Sequence, residues 1–288
     1  METFIFRLAG RLPLPFLHAL GVVLGWLTYL ISARYRRTLH ANLATAGMPS
    51  SRLAWATAAE AGKGAMELPF LWLRSHDQVV ATVRGVEGWE RVEQAWAQGR
   101  GILLLTPHLG CFEISAQYIG DRIPLTGLYR PPKKAWLAPL MERGRTAGRV
   151  KMASADLAGV RVLLKALRKH ESIGILPDQV PGKGEGVWVD FFGRPAYTMT
   201  LAARMSEAPG VTTVMMYGKR LPRGRGYVIR FFEPDVPIEG STEQRALAIN
   251  RCVEALIRRE PAQYLWSYNR YKRPAGAEPP PEAARREA

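Results

Sequence analysis

Within Ile102-Leu-Leu-Leu-Thr-Pro-His-Leu-Gly-Cys-Phe-Glu113, a histidine is followed five positions later by a carboxylate. Such a pair can activate an alcohol. A carboxylate that accepts from one ring nitrogen fixes the imidazole tautomer and raises the basicity of the other nitrogen. The free nitrogen then takes the hydroxyl proton, and no serine is needed between them. The spacing alone is weak, because chance produces H-x-x-x-x-E often. The plain alternative is a helix-start carboxylate favoured by the helix dipole, beside a histidine satisfied in a loop. The context raises the odds for chemistry. Ile102 to Leu105 is a short apolar run that reads as a buried strand, and Ile114, Ala116 and Ile119 suit a helix. His108 is therefore predicted at a strand exit and Glu113 in the first turn of the next helix. A turn containing Gly110 would fold the glutamate back onto the imidazole. Loops at the carboxyl ends of sheet strands are where α/β proteins bind ligands.

The flanking elements repeat that pattern. Strands are predicted at 124–128, 173–176, 211–217 and 227–233, and helices at 52–73, 89–98, 133–147, 157–169 and 242–259, the last capped by Ser241 or Thr242. In the 157–169 helix, Val160, Leu163, Leu164 and Leu167 share one face. A Gly/Pro-rich loop spans 180–186. Alternating strands and helices imply an α/β fold with a mainly parallel central sheet flanked by helices. Three strands run into polar groups, His108, Arg130 and Asp178, and are predicted to meet in one crevice.

At 288 residues and 47% hydrophobic, the chain can bury a sizeable core and is not a disordered protein. It carries 40 Lys and Arg against 25 Asp and Glu, a net charge of +15. That surplus implies an anionic partner: a nucleic acid, a membrane surface or an acidic protein. The basic residues are scattered and no nucleic-acid-binding signature accompanies them, which argues against nucleic acid. Two distant cysteines, Cys111 and Cys252, suggest a reducing compartment and no disulfide framework. Cys111 lies between His108 and Glu113, so a nucleophilic thiol stands against a small buried packing residue. The five histidines have no metal-ligand spacing, and neither a metal nor an organic cofactor is expected. Gly182-Lys-Gly-Glu-Gly186 is no phosphate-binding loop, and the G-x-S-x-G elbow of α/β-hydrolases does not occur.

Phe16 to Ile31 is apolar apart from His18, Thr28 and the glycines, and Arg34, Arg36 and Arg37 follow at once. Counting back to Leu12 gives a borderline transmembrane length. A spanning anchor, an in-plane interfacial helix and a buried core helix all fit. The first two place the bulk of the chain on the cytoplasmic face. The organisation expected is a membrane anchor or interfacial helix over 1–35, a catalytic domain over 36–273 and a disordered tail over 274–288.

The ordered set of motifs carries more than any one of them. Arg36-Arg37 and Asn42-Leu43 are followed by Thr106-Pro-His-Leu-Gly-Cys-Phe-Glu113 and Tyr129-Arg-Pro131. Leu176-Pro-Asp-Gln179, Val189-Asp-Phe-Phe-Gly193 with Pro195, and Gln263-Tyr-Leu-Trp-Ser-Tyr-Asn-Arg-Tyr-Lys272 complete it. In this set, from about residue 10 to 273, the chain resembles the bacterial lipid A late acyltransferases, with their glycerolipid-acyltransferase-like fold. The resemblance implies transfer of a fatty acyl group from acyl carrier protein to a hydroxyl of a lipid A precursor at the inner membrane, without a covalent acyl-enzyme. It makes His108 the general base and Glu113 its orienting partner. Arg130 would bind a sugar phosphate or brace the site carboxylate, and Asp178 would pair with Arg130 or bind the sugar. Gln179 belongs to the same motif. Phe191, Phe192 and Gly193 would form a wall of the acyl tunnel, with simple core packing as the alternative. Trp266 and Arg270 read as structural or membrane-facing, and Cys111 as a packing residue. The positive charge would serve the acidic carrier protein, the acceptor phosphates and the anionic membrane surface. Cys111-Phe112 and Tyr268-Asn269-Arg270-Tyr271 depart from the residues many members carry there, so another glycolipid acceptor, or acyl-coenzyme A as donor, also fits. A non-catalytic lipid-binding protein is the alternative of a different class.

Overall fold

A computed structural model describes residues 2–130, 132, 134–146 and 148–281. In chain order the elements begin with five helices, α1 (Glu2–Ala9), α2 (Leu14–Ile31), α3 (Ala33–Thr45), α4 (Ser51–Leu73) and α5 (His76–Val80). The α/β part follows: β1 (Val83–Glu87), α6 (Glu90–Ala97), β2 (Gly101–Leu105), α7 (Phe112–Arg122), β3 (Leu125–Tyr129), α8 (Ala138–Arg145), β4 (Val150–Ser154), α9 (Leu157–Arg168) and β5 (Ser172–Ile175). Then come β6 (Gly186–Phe191), β7 (Arg194–Met199), α10 (Leu201–Ser206), β8 (Val211–Arg220), β9 (Tyr227–Phe232) and α11 (Thr242–Arg259).

Seven strands form one sheet in the order β1-β9-β8-β2-β5-β3-β4. From β8 to β4 every neighbour is parallel, whereas β9 runs antiparallel to β8 and β1 parallel to β9. Parallel neighbours need crossover connections, which α7, α8 and α9 provide between β2, β3, β4 and β5. The apolar run at 102–105 is legible in this light. Ile102 and Leu104 face a core layer built with α6 and α7. Leu103 and Leu105 face the opposite layer, with Leu163 of α9 and Ile249 and Val253 of α11. A central strand covered on both faces has no polar side to show.

The mainly parallel α/β expectation is met, with α4, α6, α9 and α11 close to their predicted ranges. Ser241 caps α11, its hydroxyl accepting from the Gln244 N–H while the Gln244 side chain returns to the Ser241 N–H. The helix expected over 133–147 is shorter: a 3₁₀ turn at Ala135–Leu137 leads into α8. Lys133 and Ala147, like Pro131 and residues 282–288 of the expected tail, lie outside the described residues. Unexpected are α3, α5, β1, β4, α10 and the antiparallel β6–β7 hairpin. The hairpin turn places Phe192 (φ 51°) and Gly193 (φ 71°) in the left-handed region. That is the geometry of a two-residue hairpin loop without the Asn-Gly signature that usually announces one.

The apolar helix α2 lies along α4. Gly21 and Gly25, four apart, meet Ala58 and Gly62, also four apart. A Cβ on Gly25 would collide with the Ala58 carbonyl, and one on Gly62 with the Gly21 carbonyl. Small residues at this spacing let two helix backbones touch. Leu17, His18 and Tyr29 of α2 are buried, while Phe16, Val23, Leu27 and Ile31 are exposed. By length and composition α2 could cross a membrane. Arg36 from α3 donates to the Tyr29 and Leu30 carbonyls, satisfying the carboxyl end of α2.

Candidate active site

β2 and β5 are adjacent and parallel, so both deliver their carboxyl ends to one edge of the sheet. His108 follows β2 and Asp178 follows β5. The backbone N–H of His108 donates to Asp178 Oδ2 at 3.0 Å, and its Nδ1 lies 2.9 Å from Asp178 Oδ1. Asp178 is buried, and its carboxyl is held below the usual carboxylate range. Burial works against the charge, but the facing imidazole and the hydrogen bonds from His108 outweigh it. An ionised carboxylate requires a proton on Nδ1, which leaves Nε2 with its lone pair free to accept. The Gln179 amide nitrogen sits 3.1 Å from Nε2, as a donor to that lone pair would. The imidazole keeps 20% exposure, and its ring meets Phe112 edge-on at 5.2 Å.

The loop that carries His108 is fixed from two sides. The Gly110 N–H donates to the Gln263 carbonyl, the Cys111 N–H to the Gly218 carbonyl and the Leu265 N–H to the His108 carbonyl. Gly110 has φ +63°, and a Cβ there would strike the Gly218 carbonyl, so the position demands glycine. The Gly110 carbonyl accepts from Arg220 Nη2 at 2.8 Å. Arg220 is buried and forked onto Glu67 of α4, with Nε 2.9 Å from each carboxylate oxygen. Glu67 also accepts from the Tyr227 hydroxyl and lies 3.1 Å from His18 Nε2 on α2. Burial opposes ionisation of Glu67, but the Arg220 charge and the bonds from His18 and Arg220 hold its carboxyl down to about 2. A buried ionic cluster thus joins α2, α4, β8 and β9 to the underside of the His108 loop.

Glu113 does not fold back onto His108. It lies buried in the first turn of α7, where Arg145 Nε stands 3.0 and 3.1 Å from its two oxygens and Arg145 Nη2 makes a further contact. The Trp72 indole N–H donates to Glu113 Oε2 at 3.2 Å. The physical reason is the route of the chain through Gly110 and Cys111. Once those two are pinned to 263 and 218, the first turn of α7 points its carboxylate toward α4 and α8. Among the described residues the carboxylate on Nδ1 is that of Asp178. Burial disfavours the Arg145 guanidinium charge, but the Glu113 charge more than offsets this and raises its pKa.

The remaining predicted site residues are placed as follows. Arg130 stands exposed at the carboxyl end of β3, on the edge shared with His108 and Asp178. Among the described residues it pairs with neither Asp178 nor Glu113; the carboxylate brace is Arg145. Phe191 and Phe192 are buried, 4.8 Å apart between ring centroids, with Phe192 against Trp266 and Phe191 against Tyr271. Gly193 makes the hairpin turn beside them. Trp266 and Arg270 are interior, with Arg270 Nη1 on the Tyr197 carbonyl at 2.9 Å. The Asn42 side-chain amide donates to the carbonyls of Trp266 and Tyr268, so this early motif braces the C-terminal block. Cys111 is fully interior. Burial and the nearby Glu67 charge push its thiol well up, opposite to what a nucleophile requires. Sequence reasoning missed Arg145. The only available signal was helical phase, since Arg145 lies four residues after buried Met141.

Residues 2–273 match the family described as bacterial lipid A biosynthesis acyltransferase. The lipid A biosynthesis lauroyltransferase of Escherichia coli (strain K12) is 30% identical over 279 residues, 93% of this chain and 90% of that protein. The lipid A biosynthesis palmitoleoyltransferase of the same strain is 30% identical over 199 residues, 66% of this chain and 62% of its own length. A lipid A biosynthesis acyltransferase of Haemophilus influenzae is 27% identical over 279 residues, 93% of this chain and 88% of that protein.

Proposed function

The chain belongs to the bacterial lipid A biosynthesis acyltransferase family, and we propose that it transfers a fatty acyl group from acyl carrier protein to a hydroxyl of a lipid A precursor. The observation that carries the mechanism is the orientation of His108, with Nδ1 on buried Asp178 and Nε2 directed at a hydrogen-bond donor. An acceptor hydroxyl that takes the place of the Gln179 amide gives its proton to Nε2 as its oxygen attacks the thioester carbonyl carbon. The imidazolium that forms is stabilised by the Asp178 carboxylate. The tetrahedral intermediate collapses with cleavage of the C–S bond, and the thiolate leaves and takes the proton from His108. Because a thiolate is a good leaving group, the acyl chain passes directly from donor to acceptor and no enzyme nucleophile is acylated.

Glu113 and Arg145 serve this reading as a buried brace that fixes α7 against α8 beside the His108 loop. Phe191, Phe192 and Gly193 serve it as part of the wall behind the acyl chain, and Arg130, exposed on the catalytic edge, as a contact for an acceptor phosphate. The net charge of +15 supports an acidic carrier protein as donor and an anionic membrane surface as the working location.

For α2 the in-plane reading is favoured over the spanning one. A spanning α2 would draw α4 into the bilayer with it, because their backbones touch at Gly25 and Ala58, and α4 carries Arg52, Glu60 and Lys63. An in-plane helix needs only one apolar face, and Phe16, Val23, Leu27 and Ile31 form one. Arg11→Cys and Arg34→Cys, at the two ends of α2, should both react with an impermeant maleimide in inverted inner-membrane vesicles. Neither should react in intact spheroplasts. Reaction from opposite sides would establish a spanning helix instead.

The reaction itself is tested with membranes containing the protein, a tetra-acylated lipid A precursor and acyl carrier protein loaded with a series of acyl chains. A product heavier by one acyl group is expected. Equal turnover with acyl-coenzyme A would overturn the donor assignment. No product with any chain, from protein that melts cooperatively, would overturn the acceptor.

A further inference from the structure

A cavity of about 360 Å³ lies where the end of α1, the end of α4 and α8 come together. Arg7, Arg11, Arg74 and Arg143 line it with Gly10, Leu73 and Leu140. Among the described residues no acidic side chain contributes to its wall. Among the described residues none of the four guanidinium groups makes an ion pair with a carboxylate. Arg74 is partly committed, with Nε and Nη2 donating to the Gly10 and Arg11 carbonyls at 2.8 and 2.7 Å, and so fixes the cavity rim. Elsewhere the chain does the opposite: half-buried Arg145 and buried Arg220 are matched to Glu113 and Glu67. Arg7, Arg11 and Arg143 are exposed and Arg74 half-buried, so four like charges gather round one open concavity, where an anion among them would relieve their mutual repulsion.

We propose that this cavity is a subsite for a phosphate group borne by a lipid. Guanidinium groups recognise phosphate bidentately, and several of them suit a group carrying more than one negative charge. The lipid part of the assignment comes from α1, where Phe4, Ile5 and Leu8 are exposed beside Arg7 and Arg11. A molecule with a phosphate and acyl chains satisfies both surfaces at once. The cavity also adjoins the machinery already described. A second hollow of about 180 Å³ shares Arg74 and Arg143 and is lined by Trp72 and Gly144, neighbours of the Glu113–Arg145 pair. A phosphate in the larger cavity would share Arg74 and Arg143 with a hollow that borders the Glu113–Arg145 brace. Its source is either the acceptor glycolipid, which rests on the function proposed above, or a phospholipid of the surrounding bilayer.

The test uses the full chain with Arg7→Gln, Arg11→Gln and Arg143→Gln combined, leaving Arg74 to hold the rim. A control triple, Arg100→Gln, Arg161→Gln and Arg168→Gln, removes the same charge from exposed positions elsewhere. Two readouts are independent of acyl transfer. The first is the Kd in neutral detergent for a bis-phosphorylated glucosamine-disaccharide lipid and for its dephosphorylated form. The second is flotation with phosphatidylcholine vesicles containing or lacking phosphatidylglycerol. The cavity triple should weaken binding of the phosphorylated lipid by about 100-fold and leave the dephosphorylated form unchanged. That result assigns the acceptor phosphate. Loss of phosphatidylglycerol-dependent flotation with an unchanged Kd assigns a bilayer headgroup. If neither readout moves in a triple variant that melts like the parent, or if the control triple moves both equally, the subsite does not exist. A failure of acyl transfer alone would count against the proposed reaction and leave these binding results standing.

Discussion

Replacing His108 by alanine is expected to lower kcat for acyl transfer by about 10²- to 10⁴-fold, the range general-base catalysis supplies. The KM for acceptor should change little, because the imidazole is required as the proton leaves and contributes little to holding the glycolipid. This variant is expected to fold. The His108 carbonyl and N–H, which bond Leu265 and Asp178, belong to the backbone and survive the substitution. Initial rates with saturating acyl donor, beside a thermal melt, check both parts. Activity within tenfold of the parent would remove His108 from the role of base.

Asp178→Asn is the second large effect, and it decides which carboxylate orients the base. An asparagine amide that donates to Nδ1 forces the proton onto Nε2, the nitrogen that must accept from the hydroxyl. A fall in kcat of about 10²- to 10⁴-fold follows, from the wrong tautomer. Combining it with His108→Ala should cost no more than His108→Ala alone, because the two act as one unit. Glu113→Gln should behave differently. It leaves the half-buried Arg145 guanidinium with no charge partner, and because water still reaches that guanidinium the cost to stability should fall below the about 3–5 kcal/mol of a fully buried pair. A lowered melting temperature would therefore accompany any loss of rate. If Glu113→Gln kept its melting temperature and lost activity while Asp178→Asn kept both, Glu113 would be the orienting group.

Two buried carboxylates, Asp178 and Glu67, set the response to acid. Asp178 and Glu67 both have folded pKa values below their unfolded ones. Their contribution is therefore fully present above the unfolded pKa and is lost as pH falls through the folded value. For Glu67 that window runs from its ordinary value of 4.5 down to about 2. Release of Glu67 would free Arg220 and with it the Gly110 carbonyl.

Much of this architecture is legible in the sequence, and the limit falls at an identifiable place. The buried strand at 102–105 is legible because both of its faces are apolar, and α11 because Ser241 and Gln244 form a cap that spacing reveals. His108 and Asp178 could each be singled out at the end of a strand, since parallel strands deliver their ends to one edge. Which carboxylate reaches the imidazole was not legible. Five positions of separation made Glu113 the natural partner, whereas seventy separate His108 from Asp178. The choice is made by the locks on Gly110 and Cys111, whose partners Gln263 and Gly218 are more than a hundred residues away. The pairing of β2 with β5 brings Asp178 in. Arg145 was hidden for the same reason, as one of two arginines at the end of a short helix until α8 packs its carboxyl end against α7. The β6–β7 hairpin escaped because its turn is made by Phe192, a residue that rarely adopts positive φ.

The seam between α2 and α4 bears on how the enzyme can be handled in water. Apolar amino-terminal helices are commonly cut away to make membrane enzymes soluble. Here the cut would open a trench along Ala58 and Gly62 and remove His18 from Glu67, the residue that steadies Arg220 and the carbonyl beneath the catalytic loop. The apolar segment is also part of the wall its active site leans on. Solubility is better sought by replacing outward-facing residues such as Val23 and Leu27 with polar ones than by amputation.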